Sequence, residues 1–243
     1  MADWSRLEAG LTRLASLPVT GEDTAELLQQ AVTATTELPD VSGAGLMLLD
    51  AEHALRYVAV SSDEPGRILE HSQEQAGEGP CIEALVRDQA VGTADLLADP
   101  RWPRLATLLA SSPVRAVLGA PTHLGGSAVG TLNVYADHPH DWDSTQIAAV
   151  GAFAQVIDRL LISSVARQRS DQLAQQLQYA LNYRVVIERA VGYLMGHDQV
   201  DDVTAFTRLR SAARSQRRTV VDLAREVLDG QPLPTPPAPR RRR

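Results

Sequence analysis

The chain has 243 residues, of which 44% are hydrophobic and 22% charged, with a formal net charge of −7 and a mean hydropathy of −0.15. This is enough chain for one good core and a smaller module, and the lone Cys81 excludes an intramolecular disulfide. The longest apolar stretch, around Ile147 to Ile162, is broken by Gln155, Asp158 and Arg159 before it reaches bilayer length, so no membrane span is expected. The opening MADWSRLEAG is acidic and has no apolar export segment, from which cytoplasmic residence is expected.

All 23 basic residues are arginines, and a GC-rich genome is the plainest reason. Their placement is more telling. Residues 1–158 hold 8 arginines against 22 acidic residues, a net of −14, while residues 159–243 hold 15 against 8, a net of +7. An acidic body with a basic tail suits a protein whose C-terminal part alone meets a polyanion.

In chain order, Leu7, Leu11, Leu14 and Leu17 share one helical face in residues 1–20. Leu27, Leu28, Ala31 and Val32 share another, with breaks at Pro18 and Pro39. Ser42 to Leu49 and Leu55 to Ser61 are β-compatible runs that read as a hairpin. A mixed polar stretch follows. Pro80 can then start a short helix, before a strand near Ala90 to Thr93 and a helix from Trp102 to Leu109. Val114 to Leu124 and Val129 to Tyr135 read as a closing hairpin through Gly125 and Gly126.

From Asp143, residues Ile147, Val150, Ala154, Ile157 and Leu161 recur at spacings of three and four, and the seam returns at Leu173, Leu177 and Leu181. That pattern predicts a long helix with a coiled-coil dimer seam, competing with a helix packed only on its own sheet. Residues 182–230 then carry three short amphipathic helices. Val186, Ile187, Ala190, Val191, Leu194 and Met195 lie on the first, Ala205, Phe206, Leu209 and Ala213 on the second, and Val220, Val221, Ala224, Val227 and Leu228 on the third. Asp201 or Asp202 is placed to cap the second and Thr219 the third, with Gly196 and Gly230 at expected helix stops. The Pro/Arg tail, 231–243, cannot build a core and is expected to be disordered.

Two resemblances follow from these residues. GEGPCIEAL, Ala120 with Pro121, and GTLNVYA followed by the long helix resemble a GAF domain, which implies an α+β sensory fold of antiparallel sheet and flanking helices over residues 21–160. The runs IERAVGYLM, AFTRLRSAAR and VVDLAREVL resemble the ANTAR domain over 182–230, with residues 161–181 as the coiled-coil linker. Together they resemble actinobacterial GAF-ANTAR transcription antitermination regulators. The ANTAR resemblance implies that a homodimer binds RNA hairpins in leader transcripts and prevents a terminator from forming. Where that family usually has lysine, this chain has Val191.

The expected RNA-binding residues are Arg184, Arg189, Tyr193, Arg208, Arg210, Arg214, Arg217 and Arg218. Guanidinium groups pair bidentately with phosphate and stack on unpaired bases. The competing reading is pairing with Glu188, Asp202, Asp222 and Glu226, since residues 184–230 carry a net charge of only +1. Phe206 reads as core, and Tyr193 stands evenly between core and base stacking.

No cofactor is expected, and the histidines show no metal-ligand spacing. A small-molecule ligand in the GAF domain is an open expectation. Cys81 reads as a small buried hydrophobe, against a redox reporter at a helix start. Two other functions compete. A DNA-binding regulator would need a clear helix-turn-helix, which AFTRLRSAARSQRRTVVDLA lacks. A GAF-type reductase would need a second cysteine.

Overall fold

The computed structural model describes residues 24–50, 56–57, 60–167 and 172–233. The expected N-terminal helix with Leu7 to Leu17 and nearly all of the Pro/Arg tail lie outside these residues, as do the side chains of Leu173, Leu177 and Leu181.

Helix α1 (Thr24–Thr35) leads into β1 (Gly43–Asp50), which is followed by the short strands β2 (Arg56–Tyr57) and β3 (Val60–Ser61). Both short strands pair antiparallel with β1, as the predicted hairpin requires. Three helices come next around one strand: α2 (Glu64–Ala76), α3 (Pro80–Arg87), β4 (Val91–Thr93) and α4 (Pro103–Leu108). Strands β5 (Ala116–Leu124) and β6 (Ser127–Ala136) close the sheet, in the order β2-β1-β6-β5-β4 with every pairing antiparallel. Gly125 and Gly126, at φ 60° and 83°, make the tight turn between β5 and β6, where both central residues need positive φ.

Alternation along the strands makes the sheet two-sided. Leu46 and Leu48 of β1, Leu118 and Ala120 of β5, and Leu132 and Val134 of β6 all enter one core cluster with α1 and α5 (Ser144–Arg167). The intervening residues Met47, Leu49, Val117 and Tyr135 point to the opposite face, toward α2, α3 and α4 and toward the C-terminal helices.

Helix α5 starts where Asp143 accepts from the Thr145 and Gln146 amides at 2.7 and 2.8 Å, while Gln146 Oε1 accepts from the Asp143 amide at 3.1 Å. Val150, Ala154, Ile157 and Leu161 of the predicted dimer seam are buried in the chain's own sheet core. That part of the seam is filled from within the chain. By length and composition Ser144–Ser163 is apolar enough to cross a membrane, but this same face is what the core consumes.

Sequence periodicity does not disclose α2. Its buried face includes Glu70, Ser72 and Gln73 alongside Leu69, so no apolar stripe marks it. The end signals are present. Asp63 accepts from the Gly66 amide at 2.8 Å, Pro65 sits in the first turn, and Gly77 at φ 70° terminates the helix.

Candidate nucleic-acid interface

The C-terminal module is a bundle of α6 (Gln172–Asp198), α7 (Asp202–Gln216) and α8 (Val220–Leu228). Asp201 caps α7, accepting from the Thr204 amide at 2.7 Å, and Thr219 caps α8, accepting from the Asp222 amide at 3.0 Å. Ala190, Leu194, Phe206, Leu209, Val220, Ala224 and Val227 are buried and form its core, while Met195 and Leu228, read onto the same faces, are each 37% exposed. Two further details differ from expectation. The first helix is not short, because one helix of 27 residues crosses residue 182 without a break. Gly196 does not stop it either: the chain leaves the helix through Gln199 at φ 54°, and Gly196 lies inside the helix with open space beside it.

The eight residues expected to contact RNA fall into three groups. Arg184, Arg210 and Arg214 face the sheet-bearing body. Arg184 donates through Nη1 to the Ala128 carbonyl of β6 and through Nη2 to the Leu85 carbonyl of α3 at 3.5 Å, while its Nε holds Glu188 at 2.6 Å. Arg210, only 4% exposed, donates to the Glu74 carbonyl at 2.9 Å, and Arg214 donates to the same oxygen at 3.1 Å. Thr207 adds a donation to the Gly77 carbonyl at 3.4 Å. These carbonyls close α2, where helix geometry leaves acceptors unpartnered and the dipole is negative, so cations from α7 satisfy both needs.

Arg208 and Arg218 form the second group, each held by an acid of the module itself. Arg208 meets Asp198 at 3.1 Å, and Arg218 grips Glu226 through two donations of 2.8 and 2.6 Å. The third group is exposed. Arg189 and Arg217 make no ion pair among the described residues, and Tyr193 is 44% exposed. Arg189, Tyr193 and His197 recur every fourth residue on α6 and so share one stripe. The Tyr193 and His197 rings are stacked, 5.6 Å apart and 18° from parallel. Val191, in the place of the family's lysine, is 9% exposed and belongs to the apolar cluster rather than to this stripe.

In the body, α2 covers a polar cluster that the sequence did not signal. Glu70 is 1% exposed and accepts from Asn133 Nδ2 at 2.9 and 3.1 Å, and Gln73 Oε1 accepts from the Cys81 amide at 2.9 Å. A Cβ at residue 45 would overlap the Glu70 carboxyl, so glycine there makes room for it. Burial pushes the Glu70 carboxyl up to about 8 against the Asn133 donation, so it is mostly neutral at pH 7. Among the described residues Asn133 Oδ1 has no partner. Turning that amide over would let Oδ1 take the proton of neutral Glu70.

Cys81 is fully buried 3.3 Å from Met47 Sδ, and burial, then the nearby Glu70, push its thiol well above the usual range. It is the small buried hydrophobe of the two readings. A neutral thiol with no access to solvent is not a nucleophile.

A helix-covered sheet with a polar heart is thus joined to a small bundle that displays cations and a stacked aromatic pair. The GAF domain family model matches residues 23–159, more than half of the chain, and the ANTAR domain model matches residues 175–228. The chain belongs to the GAF family and carries an ANTAR domain after its GAF domain.

Solved structures agree on the fold. The GAF domain of a phosphoenolpyruvate-protein phosphotransferase from Coxiella burnetii superposes with a TM-score of 0.53 at 16% identity, covering 68% of this chain and 98% of that one. The corresponding Acinetobacter domain gives 0.52 at 15% identity, over 70% and 100%. The reduced form of fRMsr from Staphylococcus aureus gives 0.50 at 14% identity, over 66% and 96%. No curated protein matches the chain. The combination of a GAF sensor with an ANTAR RNA-binding antitermination output domain is regulatory, not catalytic.

Proposed function

We propose that the chain is a transcription antitermination regulator of the actinobacterial GAF-ANTAR kind. In it the bundle binds RNA hairpins in leader transcripts, and the GAF body sets when it does so. The observation that carries this reading is the exposed stripe of Arg189, Tyr193 and His197 on an ANTAR helix. A guanidinium beside a solvent-facing aromatic stack is suited to unpaired bases flanked by phosphates, as a hairpin loop presents them. Arg217, at the exposed end of α7, adds a further cation.

The input of this reading is a small molecule taken up by the GAF domain. The working form is a homodimer joined through Leu173, Leu177 and Leu181. Sedimentation of the full chain as a single 26.2 kDa species at micromolar concentration would remove the dimer.

Filter binding of the full chain to an RNA with two hairpin loops, against duplex DNA of matching sequence, tests the RNA reading. A preference for the duplex sinks it. Replacing Tyr193 by Ala should cost about tenfold in RNA affinity with little effect on the fold, since the ring is exposed. The pair R189A and R217A should flatten the dependence of log K on log salt by about 1.5, two phosphate contacts being lost. An unchanged slope would acquit both arginines.

A further inference from the structure

We infer that the GAF body holds the ANTAR bundle in a docked state that withholds part of its cationic surface from RNA, with the C-terminus of α2 as the clamp. The inference rests on the RNA reading above and concerns its regulation. Three of the seven arginines expected at RNA each give part of their donors to the body: Arg184 to Ala128 and Leu85, Arg210 to Glu74, and Arg214, whose side chain stays 53% exposed, also to Glu74. Main-chain carbonyls here occupy the donors that phosphate oxygens would otherwise take.

The contact is more than polar. One apolar cluster runs from Met47 and Leu49 on β1 and Ile82 and Leu85 on α3 into Ala190 and Phe206 of the bundle. Arg87 of α3 lies 4.0 Å from Asp202 at the rim. Arg210 also has Nη1 buried with no partner among the described residues, a donor that docking leaves unsatisfied. This strain favours release once another acceptor is offered.

Helix α2 touches both ends of the system. Through Glu70 and Gln73 it is tied to Asn133 of β6 and to the Cys81 amide of α3, and through its last carbonyls it holds α7. A change in the polar cluster therefore moves the same helix that grips the bundle. RNA and the body compete for the same guanidinium groups, so the apparent RNA affinity falls by the fraction of molecules that are docked.

The test is E74R in the full chain. The new cation stands beside Arg214, whose Nη2 lies 3.9 Å from the Glu74 carboxylate, and it belongs to the body rather than to the RNA-binding module. The control is E64R at the exposed start of α2, which changes the net charge equally but lies away from α7. Hydrogen exchange reads docking, and binding to the two-hairpin RNA reads masking. E74R should speed exchange at Ile82 to Leu85 and in α7, and should tighten RNA binding about tenfold beyond both wild type and E64R.

Unchanged exchange in E74R overturns the clamp. Faster exchange without a gain over E64R overturns the masking, while the RNA reading survives. If wild type and both variants all fail to bind the RNA, the RNA reading itself falls and takes the inference with it.

Discussion

Glu70→Gln should abolish most of the pH dependence of stability between about pH 4.5 and pH 8, and should make the protein more stable at the alkaline end. In the unfolded chain this carboxyl ionises near 4.5, whereas in the folded protein burial holds it neutral until about pH 8. Between those values the folded state binds more protons than the unfolded state, so stability falls as pH rises. The loss is absent below pH 4.5 and complete above pH 8, and it amounts to about 4 to 5 kcal/mol. Glutamine keeps the shape and the acceptor for Asn133 but has nothing to ionise. Denaturant unfolding at pH 5 and pH 8.5 decides the matter: the two proteins should be close at pH 5, with the variant ahead by about 4 kcal/mol at pH 8.5. Parallel pH profiles would mean that Glu70 is solvated or charged in the folded protein.

Phe206→Ala should unfold the bundle while leaving the GAF body intact. The ring is 7% exposed and sits in the cluster shared by α6, α7 and α8, with Ala190, Leu194, Leu209 and Ala224 around it. Truncating a buried phenylalanine costs about 3 to 5 kcal/mol, transfer and cavity together. A module of this size has little more than that to lose, because small domains bury a smaller share of their surface. Hydrogen exchange should show α7 and α8 at unprotected rates with the β5–β6 ladder still protected, and the two-hairpin RNA should no longer bind. A cooperative loss of both regions would show instead that the bundle and body unfold as one unit, which the shared apolar cluster makes the alternative worth measuring.

Much of this could be read from the residues in order. The β5–β6 hairpin was legible because its two glycines sit between alternating strands, and α3 because Pro80 opens it. The Thr219 cap was legible, and that of α7 down to Asp201 or Asp202, because capping is decided within a few residues. Helix α2 was not. Its buried face carries a glutamate, a serine and a glutamine beside Leu69 and Ala76, and partners outside the helix, Asn133 for Glu70 and the Cys81 amide for Gln73, make the burial of those two tolerable. Gly196 misled for a related reason: glycine permits a helix stop without compelling one, and the helix runs on to Asp198.

The arginines mark the same boundary between local and global information. By itself the sequence determined that the C-terminal helices form a bundle with an apolar heart and that the cations lie outside it, since helical period separates those faces wherever the module sits. It also determined that Cys81 has no disulfide partner within the chain. Which arginines remain open to solvent was decided only by the tertiary structure. Arg210 and Arg189 are alike as side chains on helix surfaces, yet one is 4% exposed against the end of α2 and the other stands on an open stripe. The difference lies in residues about 136 positions away in the chain, at Glu74, and no local pattern carries a contact of that range. The same holds for the seam from Val150 to Leu161: its spacing fits a partner helix or a sheet equally well, and the chain's own sheet is what covers it.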